Sequence, residues 1–242
     1  MVAGGLTAAT RWAFLAAAFA LGAWLQARGD LPALLSHWGD IVYLTRQHVV
    51  LAAVSAGLAL AVGLPLGIAL TRRGAERWAD LVLQVVNLGT TIPTLALLAL
   101  AMSVLGIGAP PAIFALFVLT ILPIVLNTMS GLRSVPHHLL DAARGMGMTP
   151  RQILLRIELP NAVYVILAGV RTALALCIGT VPLAFLIGGG GLGELIFTGI
   201  DVNEPSMLLA GAIPTALLVV LADFAVGQMQ VWLVPKGVNP LR

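Results

Sequence analysis

The chain has 242 residues, of which 60% are hydrophobic and only 10% charged, with a mean hydropathy of +1.02. Soluble domains carry about 25% charged residues, so this composition excludes an ordinary water-soluble fold and makes lipid the solvent for most of the surface. The net charge of +3 arises from thirteen cations scattered among apolar runs, which form no basic stripe for nucleic acid and bear instead on membrane orientation.

A spanning helix needs roughly 20 mostly apolar residues. Six stretches qualify in chain order: 12–27, 48–70, 81–105, 111–129, 161–187 and 207–234. The first is short and alanine-rich. Trp12 and Trp24 bracket it as they would a retained span, but Ala18-Phe19-Ala20 resembles the small-x-small cleavage site of a secretory signal. The expectation is an all-α membrane protein of six transmembrane helices, or five if the first is removed. Residues 28–47 place Leu31, Leu34, Leu35, Trp38, Ile41 and Val42 at near-helical spacing, which predicts an interfacial helix on the outer leaflet. The chain therefore divides into an N-terminal segment 1–47, a transmembrane domain 48–234 and a tail 235–242. In the second span, Gly63 and Gly67 form a small-xxx-small pair that permits close helix approach, and Pro65 between them predicts a kink.

Charge bias sets the topology. With 134–160 on the cytoplasmic side, Arg11, Arg72, Arg73, Arg77, Arg133, Arg144, Arg151, Arg156, Lys236 and Arg242 are inside. Only Arg28 and Arg46 fall outside, so the positive-inside rule is satisfied with a cytoplasmic C-terminus. Every Trp and Tyr lies near a span end or in a flanking loop, where amphipathic rings settle. The single cysteine, Cys177, lies in an apolar run and reads as a small buried hydrophobe.

Several spans carry polar residues at depth. The third contains Asn87, Thr90, Thr91, Pro93 and Thr94; the fourth Pro123 and Asn127; the fifth Thr180 and Pro182; the sixth Pro214 and Thr215. Irregular or polar backbone at membrane depth is tolerated where it lines a cavity or packs on protein. A translocation path lined by Asn87, Thr90, Thr91, Thr94, Asn127, Arg171, Thr180 and Asp223 is one reading, and interhelical hydrogen bonding without a path is the other. Arg171 and Asp223 both count to mid-depth, where a charge is costly and needs a partner. They either pair with each other or make separate contacts.

Residues 188–193, Gly-Gly-Gly-Gly-Leu-Gly, contain the spacing G-x-G-x-x-G. A dinucleotide site needs that motif between a strand and a helix. Following a span, it predicts a turn with close backbone packing instead. No phosphate-binding G-x-x-x-x-G-K-[ST] is present, and no nucleophile–base constellation or shared metal spacing is found. His137 and His138 are adjacent and point apart on a helix. The expected role is therefore not enzymatic.

Residues 134–160, SVPHHLLDAARGMGMTPRQILLRIELP, are the longest polar-rich interlude. Pro136 suits a first helical turn, and Gly145 and Gly147 can end that helix. Thr149-Pro150-Arg151-Gln152 fits a capping box for a second helix, which Pro160 is expected to close. The pair reads as a docking knob. Leu139, Leu140, Ile153 and Leu154 would offer apolar contacts, and Asp141, Arg151 and Arg156 polar ones.

Within this stretch, Asp141-Ala142-Ala143, three residues, Gly147, nine residues and Ile157-Glu158-Leu159-Pro160 resemble the pattern E-A-A-x3-G-x9-I-x-L-P of the membrane subunits of binding-protein-dependent ABC importers. Asp replaces Glu at 141 and keeps the charge. Thr91-Ile-Pro-Thr-Leu-Ala-Leu-Leu-Ala-Leu100, Leu122-Pro-Ile-Val-Leu-Asn127, Gly145-Met-Gly-Met148, Ala168-Gly-Val-Arg-Thr172 and Gly189-Gly-Gly-Leu-Gly193 are similar to the osmoprotectant branch, importers of glycine betaine, choline and carnitine. The resemblance covers about residues 45–230. It implies that Asp141, Ala142, Ala143, Gly147, Arg151, Ile157, Leu159 and Pro160 couple the chain to a separate ATPase subunit, which holds the ATP and Mg. The implied assembly in the cytoplasmic membrane has two permease subunits, equal or different, two ATP-binding subunits and an extracytoplasmic substrate-binding protein. A methionine-type or other small-solute permease shares the same pattern, and a stand-alone ion-coupled carrier is the alternative of a different class. Quaternary ammonium groups are held by aromatic cages. No Trp or Tyr lies at mid-depth, so recognition is expected mainly in the binding protein.

Overall fold

The computed structural model describes residues 30–72 and 74–234, with residues 20, 22, 26 and 27 before them. Among the described residues the chain is helical and contains no strand. The elements are α1 (Asp30–Ser36), α2 (Trp38–Leu70), α3 (Glu76–Thr91), α4 (Thr94–Leu105), α5 (Ala109–Arg133), α6 (His137–Gly145) and α7 (Pro150–Ile153). A π-turn (Leu154–Glu158) leads into α8 (Leu159–Thr180), followed by a 3₁₀ segment (Val181–Ile187), α9 (Gly193–Asp201) and α10 (Pro205–Leu233).

Among the described residues, four helical runs are long and apolar enough to cross a bilayer: Trp38–Leu70, Ala109–Arg133, Pro150–Ile187 and Pro205–Leu233. The pair Arg77–Thr91 and Thr94–Leu105, bent by 99°, makes up to five. The predicted first span, 12–27, lies outside the described residues.

Three expectations change. Span two begins at Trp38 rather than 48, so residues 38–47 belong to a 33-residue helix and not to an interfacial segment. The apolar spacing of 28–47 merges with that of the span, and only the break at His37 separates α1 from it. Span three is broken at Ile92-Pro93. Proline disfavours helical geometry in the residue before it, and Ile92 is extended at φ −69°, ψ 129°. Span five tightens into the 3₁₀ segment after Thr180, where Pro182 removes a backbone donor.

α5 is the central helix, packed between α2 and α8. Leu116, Thr120, Ile124, Val125 and Thr128 on it are almost wholly buried. Apolar side chains gain little from leaving lipid for protein, so close van der Waals approach must hold the helices together. The predicted Gly63/Gly67 pair supplies that approach. A methyl group added at Gly67 would stand 2.7 Å from Thr128 Cβ, and one at Gly63 would stand 3.1 Å from Ile124 Cγ2. On the other flank, Gly169 of α8 meets Asn127 and Pro123 of α5 as closely. α10 completes the bundle against α8 and α9.

Candidate functional site

The 134–160 segment folds as two helical pieces around a glycine turn, as its residues predict. Pro136 stands as the N-cap, at φ −59° and ψ 131°, rather than inside the first turn. After α6 the chain turns at Gly147, whose φ of +75° is the left-handed value that glycine adopts without strain. Gly145 stays in the helix and is not the turn. Met148 N–H then closes back on the Ala143 carbonyl at 3.1 Å, satisfying one of the orphan acceptors at the helix end. The capping box is complete. Thr149 Oγ1 accepts from Gln152 N–H at 3.4 Å, and Gln152 Oε1 accepts from Thr149 N–H at 2.8 Å.

Pro160 does not close the second helix. The helical run continues from Pro150 to Ile187 without a stop. Proline removes one donor and crowds the preceding turn, and the π-turn at Leu154–Glu158 widens the ladder there, with Leu159 N–H bonded to the Leu154 carbonyl. Asn161 Nδ2 donates to the Ile157 carbonyl at 2.6 Å and satisfies an acceptor in the disturbed turn. The second piece of the knob is thus the first turn of a transmembrane helix.

The knob is pinned to the bundle by Arg72, just past the end of α2. Its Nη1 donates to Glu158 Oε2 at 2.7 Å, its Nε to the Ile68 carbonyl at 3.2 Å and its Nη2 to Thr71 Oγ1 at 3.1 Å. Asp141, Ala142, Gly147 and Arg151 are exposed, while Ile157, Leu159 and Pro160 are half-buried and Ala143 is buried. Asp141 accepts from Arg144 Nη1 at 2.9 Å on the open surface, a contact of small energy. Of the apolar residues expected to face a partner, Ile153 is instead buried and Leu139, Leu140 and Leu154 are half-buried. The exposed apolar side chains are Met146, at 72%, and Leu155, at 52%.

Among the described residues, Asn87 and the Arg171 and Asp223 pair line two separate grooves. Arg171 of α8 and Asp223 of α10 form a two-point ion pair, Nε to Oδ1 and Nη2 to Oδ2. They line a groove of about 410 Å³ with Thr172, Ala175 and Leu176. Asn87 lines a second groove, of about 430 Å³, with Asp80, Leu83, Gln84, Leu122 and Leu126. Thr90 Oγ1 donates towards Asn87, to its carbonyl at 2.9 Å, and Thr91 Oγ1 donates to the Leu88 carbonyl at 2.9 Å. Asn127 lines neither groove. Its amide donates to the Pro123 carbonyl at 2.8 Å, and its Cβ packs on Gly169. Thr94 opens α4 and Thr180 ends α8, both half-buried.

Sequence reasoning passed over Asp80 and Gln84. Their signal is the spacing 80, 84, 87, 91, which puts Asp80, Gln84, Asn87 and Thr91 on one exposed stripe of α3. It also passed over His48, which is wholly buried. Its Nε2–H donates to the Ile178 carbonyl at 3.0 Å, while Nδ1 has no partner among the described residues. Cys177 is buried as expected.

The glycine corner lies at the end of the bundle opposite the knob. Gly188, Gly190 and Gly191 have φ of +75°, +76° and +88°, and Gly191 N–H donates to Gln47 Oε1 at 3.0 Å. A methyl at Gly193 would stand 1.9 Å from the Pro182 carbonyl oxygen. Close backbone packing, not nucleotide binding, explains the motif. The corner presents α9, where Phe197 stacks on Phe185 at 6.1 Å. Nearby, His37 approaches Glu204 at 3.4 Å and ties the start of α2 to the start of α10.

Known proteins resemble this chain in sequence and in fold. The chain is 50% identical over 193 residues to the osmoprotectant import permease protein OsmY of Salmonella typhimurium, covering 80% of this chain and 82% of that one. It is 38% identical to the choline transport system permease protein OpuBB of Bacillus subtilis, covering 86% and 95%. It is 40% identical to the carnitine transport permease protein OpuCB of Listeria monocytogenes, covering 84% and 92%. Among solved structures, a chain of the MetNI methionine ABC transporter in an inward-facing conformation superposes with a TM-score of 0.73 at 24% identity, covering 81% of this chain and 96% of that one. At that identity the likeness speaks for the fold alone. Residues 63–236 match the family model described as the binding-protein-dependent transport system inner membrane component, and with nearly three-quarters of its length inside that match the chain belongs to this family.

Proposed function

We propose that the chain is the pore-forming permease subunit of an ATP-driven importer that moves a compatible solute such as glycine betaine, choline or carnitine across the cytoplasmic membrane. The observation that carries the transport reading is the capped knob at 134–160, continuous with a helix that crosses the bilayer. The cargo reading rests on the relatives named for osmoprotectants, choline and carnitine.

In this reading the knob lies on the cytoplasmic side and docks on an ATPase subunit that holds ATP and Mg. Asp141, Ala142, Ala143, Gly147, Arg151, Ile157, Leu159 and Pro160 form its docking and hinge surface, and Met146 and Leu155 add the apolar contact. A rigid helix passes a displacement along its axis. The run from Pro150 to Ile187 therefore links motion at the ATPase to the glycine corner about 37 residues away, or roughly 55 Å at 1.5 Å per residue. Arg72 bound to Glu158 makes α2 move with it. A second permease subunit, identical or different, completes the pore, and an extracytoplasmic binding protein delivers the solute. The solute passes along polar positions of α3, α4, α8 and α10, among them Asn87, Thr90, Thr91, Thr94, Thr180, Arg171 and Asp223. Asn127 serves helix packing instead.

The test is co-purification with the ATPase that binds this chain, followed by uptake of glycine betaine, choline and carnitine into liposomes with the binding protein present. ATP-dependent uptake is expected. Uptake driven by an ion gradient without ATP would overturn the class.

A further inference from the structure

The Arg171–Asp223 pair is where a charged solute can be read. Arg171 lies about 11 residues past Pro160, or roughly 16 Å, and Asp223 about ten before Leu233, or roughly 15 Å, at 1.5 Å per residue. Both therefore sit near the middle of a hydrocarbon core about 30 Å thick. Yet their side chains are 43% and 40% exposed in the protomer. An ion pair at that depth cannot face lipid tails without a large cost, so this face meets water or protein.

The pair is also only half used. Arg171 spends Nε and Nη2 on Asp223, which leaves three of its five N–H donors, Nη1 included, without a partner among the described residues. Each Asp223 oxygen accepts one bond and keeps a lone-pair site. The pair thus presents a cationic end and an anionic end side by side, in a groove lined also by Thr172, Ala175 and Leu176. The groove beside the pair is open and has a volume of about 410 Å³.

We propose that Arg171 and Asp223 form a two-point contact for a small zwitterion during translocation. The solute lies antiparallel to the pair, its carboxylate on the free Nη1 face of Arg171 and its quaternary ammonium beside Asp223. Two dipoles side by side in opposite sense attract, and neither charge of the solute crosses the mid-plane uncompensated. Charge-assisted contacts of this kind discriminate more strongly than apolar ones. The contact needs no aromatic cage, which suits the lack of Trp and Tyr at this depth. This inference rests on the importer reading given above.

The experiment uses the complete importer in liposomes and radiolabelled glycine betaine, with R171Q, D223N and the charge-free double variant R171Q/D223N. Assembly with the other subunits and binding-protein-stimulated ATP hydrolysis are measured beside uptake. The double variant keeps a hydrogen-bonding pair of similar shape. It is expected to assemble and to hydrolyse ATP, while glycine betaine uptake falls by roughly tenfold or more. Choline, a cation without a carboxylate, is expected to lose much more uptake with D223N than with R171Q, whereas glycine betaine loses uptake with both. Wild-type glycine betaine uptake by R171Q/D223N would overturn the proposal, as would equal loss of both solutes with R171Q. Loss of assembly in the double variant would overturn it too, because the pair would then be a subunit contact. Absence of ATP-driven uptake in the unaltered importer would refute the importer reading itself and this inference with it, a failure visible before any variant is made.

Discussion

Replacing Gly193 by alanine adds one methyl group where the structure has no space for it. The new Cβ would stand 1.9 Å from the Pro182 carbonyl oxygen, 2.6 Å from its carbon and 2.8 Å from its Cα. All three are backbone atoms, so no side chain can rotate away. Relief requires the 3₁₀ segment and α9 to separate by more than about 1 Å in an interior packed to crystal-like density. Overpacking of this kind costs about 1–3 kcal/mol, and the upper end applies where only backbone can yield. At about 2–4 °C per kcal/mol for a chain of this size, unfolding should fall by roughly 6–12 °C. Cys177 provides the assay. It is the only cysteine and is fully buried, so a thiol-reactive fluorophore reports unfolding of the detergent-purified chain. Gly227→Ala is the control, since a methyl there meets nothing within 4 Å and alanine favours the helix by about 0.5–1 kcal/mol. A Gly193→Ala melt that matches wild type or the control would refute the close-packed corner.

At the knob, Gly147→Asp meets no atom within 4 Å, and the left-handed φ costs about 1–2 kcal/mol. The variant should reach the membrane yet fail to couple ATP hydrolysis to uptake, and normal uptake would sink the coupling role. Thr149→Ala should loosen the start of α7 by about 1 kcal/mol, while Thr149→Ser restores it; amide exchange at Gln152 and Ile153 reads the difference, and equal exchange in both variants counts against the cap. Arg72→Gln and Glu158→Gln should show a coupling of about 1 kcal/mol in a double-mutant cycle from the same thiol melt. Purely additive effects would mean that the Arg72–Glu158 contact does not pin the knob.

What could be read along the chain were features whose physics acts within one or two turns. Apolar length marks a span because the bilayer has a fixed thickness, so four spans were located, although α2 and the run from Pro150 each begin about ten residues earlier than expected. The capping box at Thr149, the turn at Gly147, the close-approach pair Gly63/Gly67 and the packed corner at 188–193 were legible for the same reason. Each depends on residues adjacent in sequence. The continuity through Pro160 was not legible, because a proline ends a helix or is absorbed by a π-turn according to the packing around it, here Arg72 holding Glu158 from another helix. Nor was the 99° bend at Pro93. Its residue type signals a break, but α5 and the neighbouring packing set the angle. The Arg171 side chain announces a need for a partner at mid-depth, and Asp223 announces the same. Only the placing of α8 against α10, 52 residues apart in the chain, brings the two charges together and turns them outward into a groove. Sequence thus determined the spans and the shape of the knob through local stereochemistry and hydropathy, while the tertiary structure decided which polar groups meet, because such pairings depend on the rotation and register of whole helices.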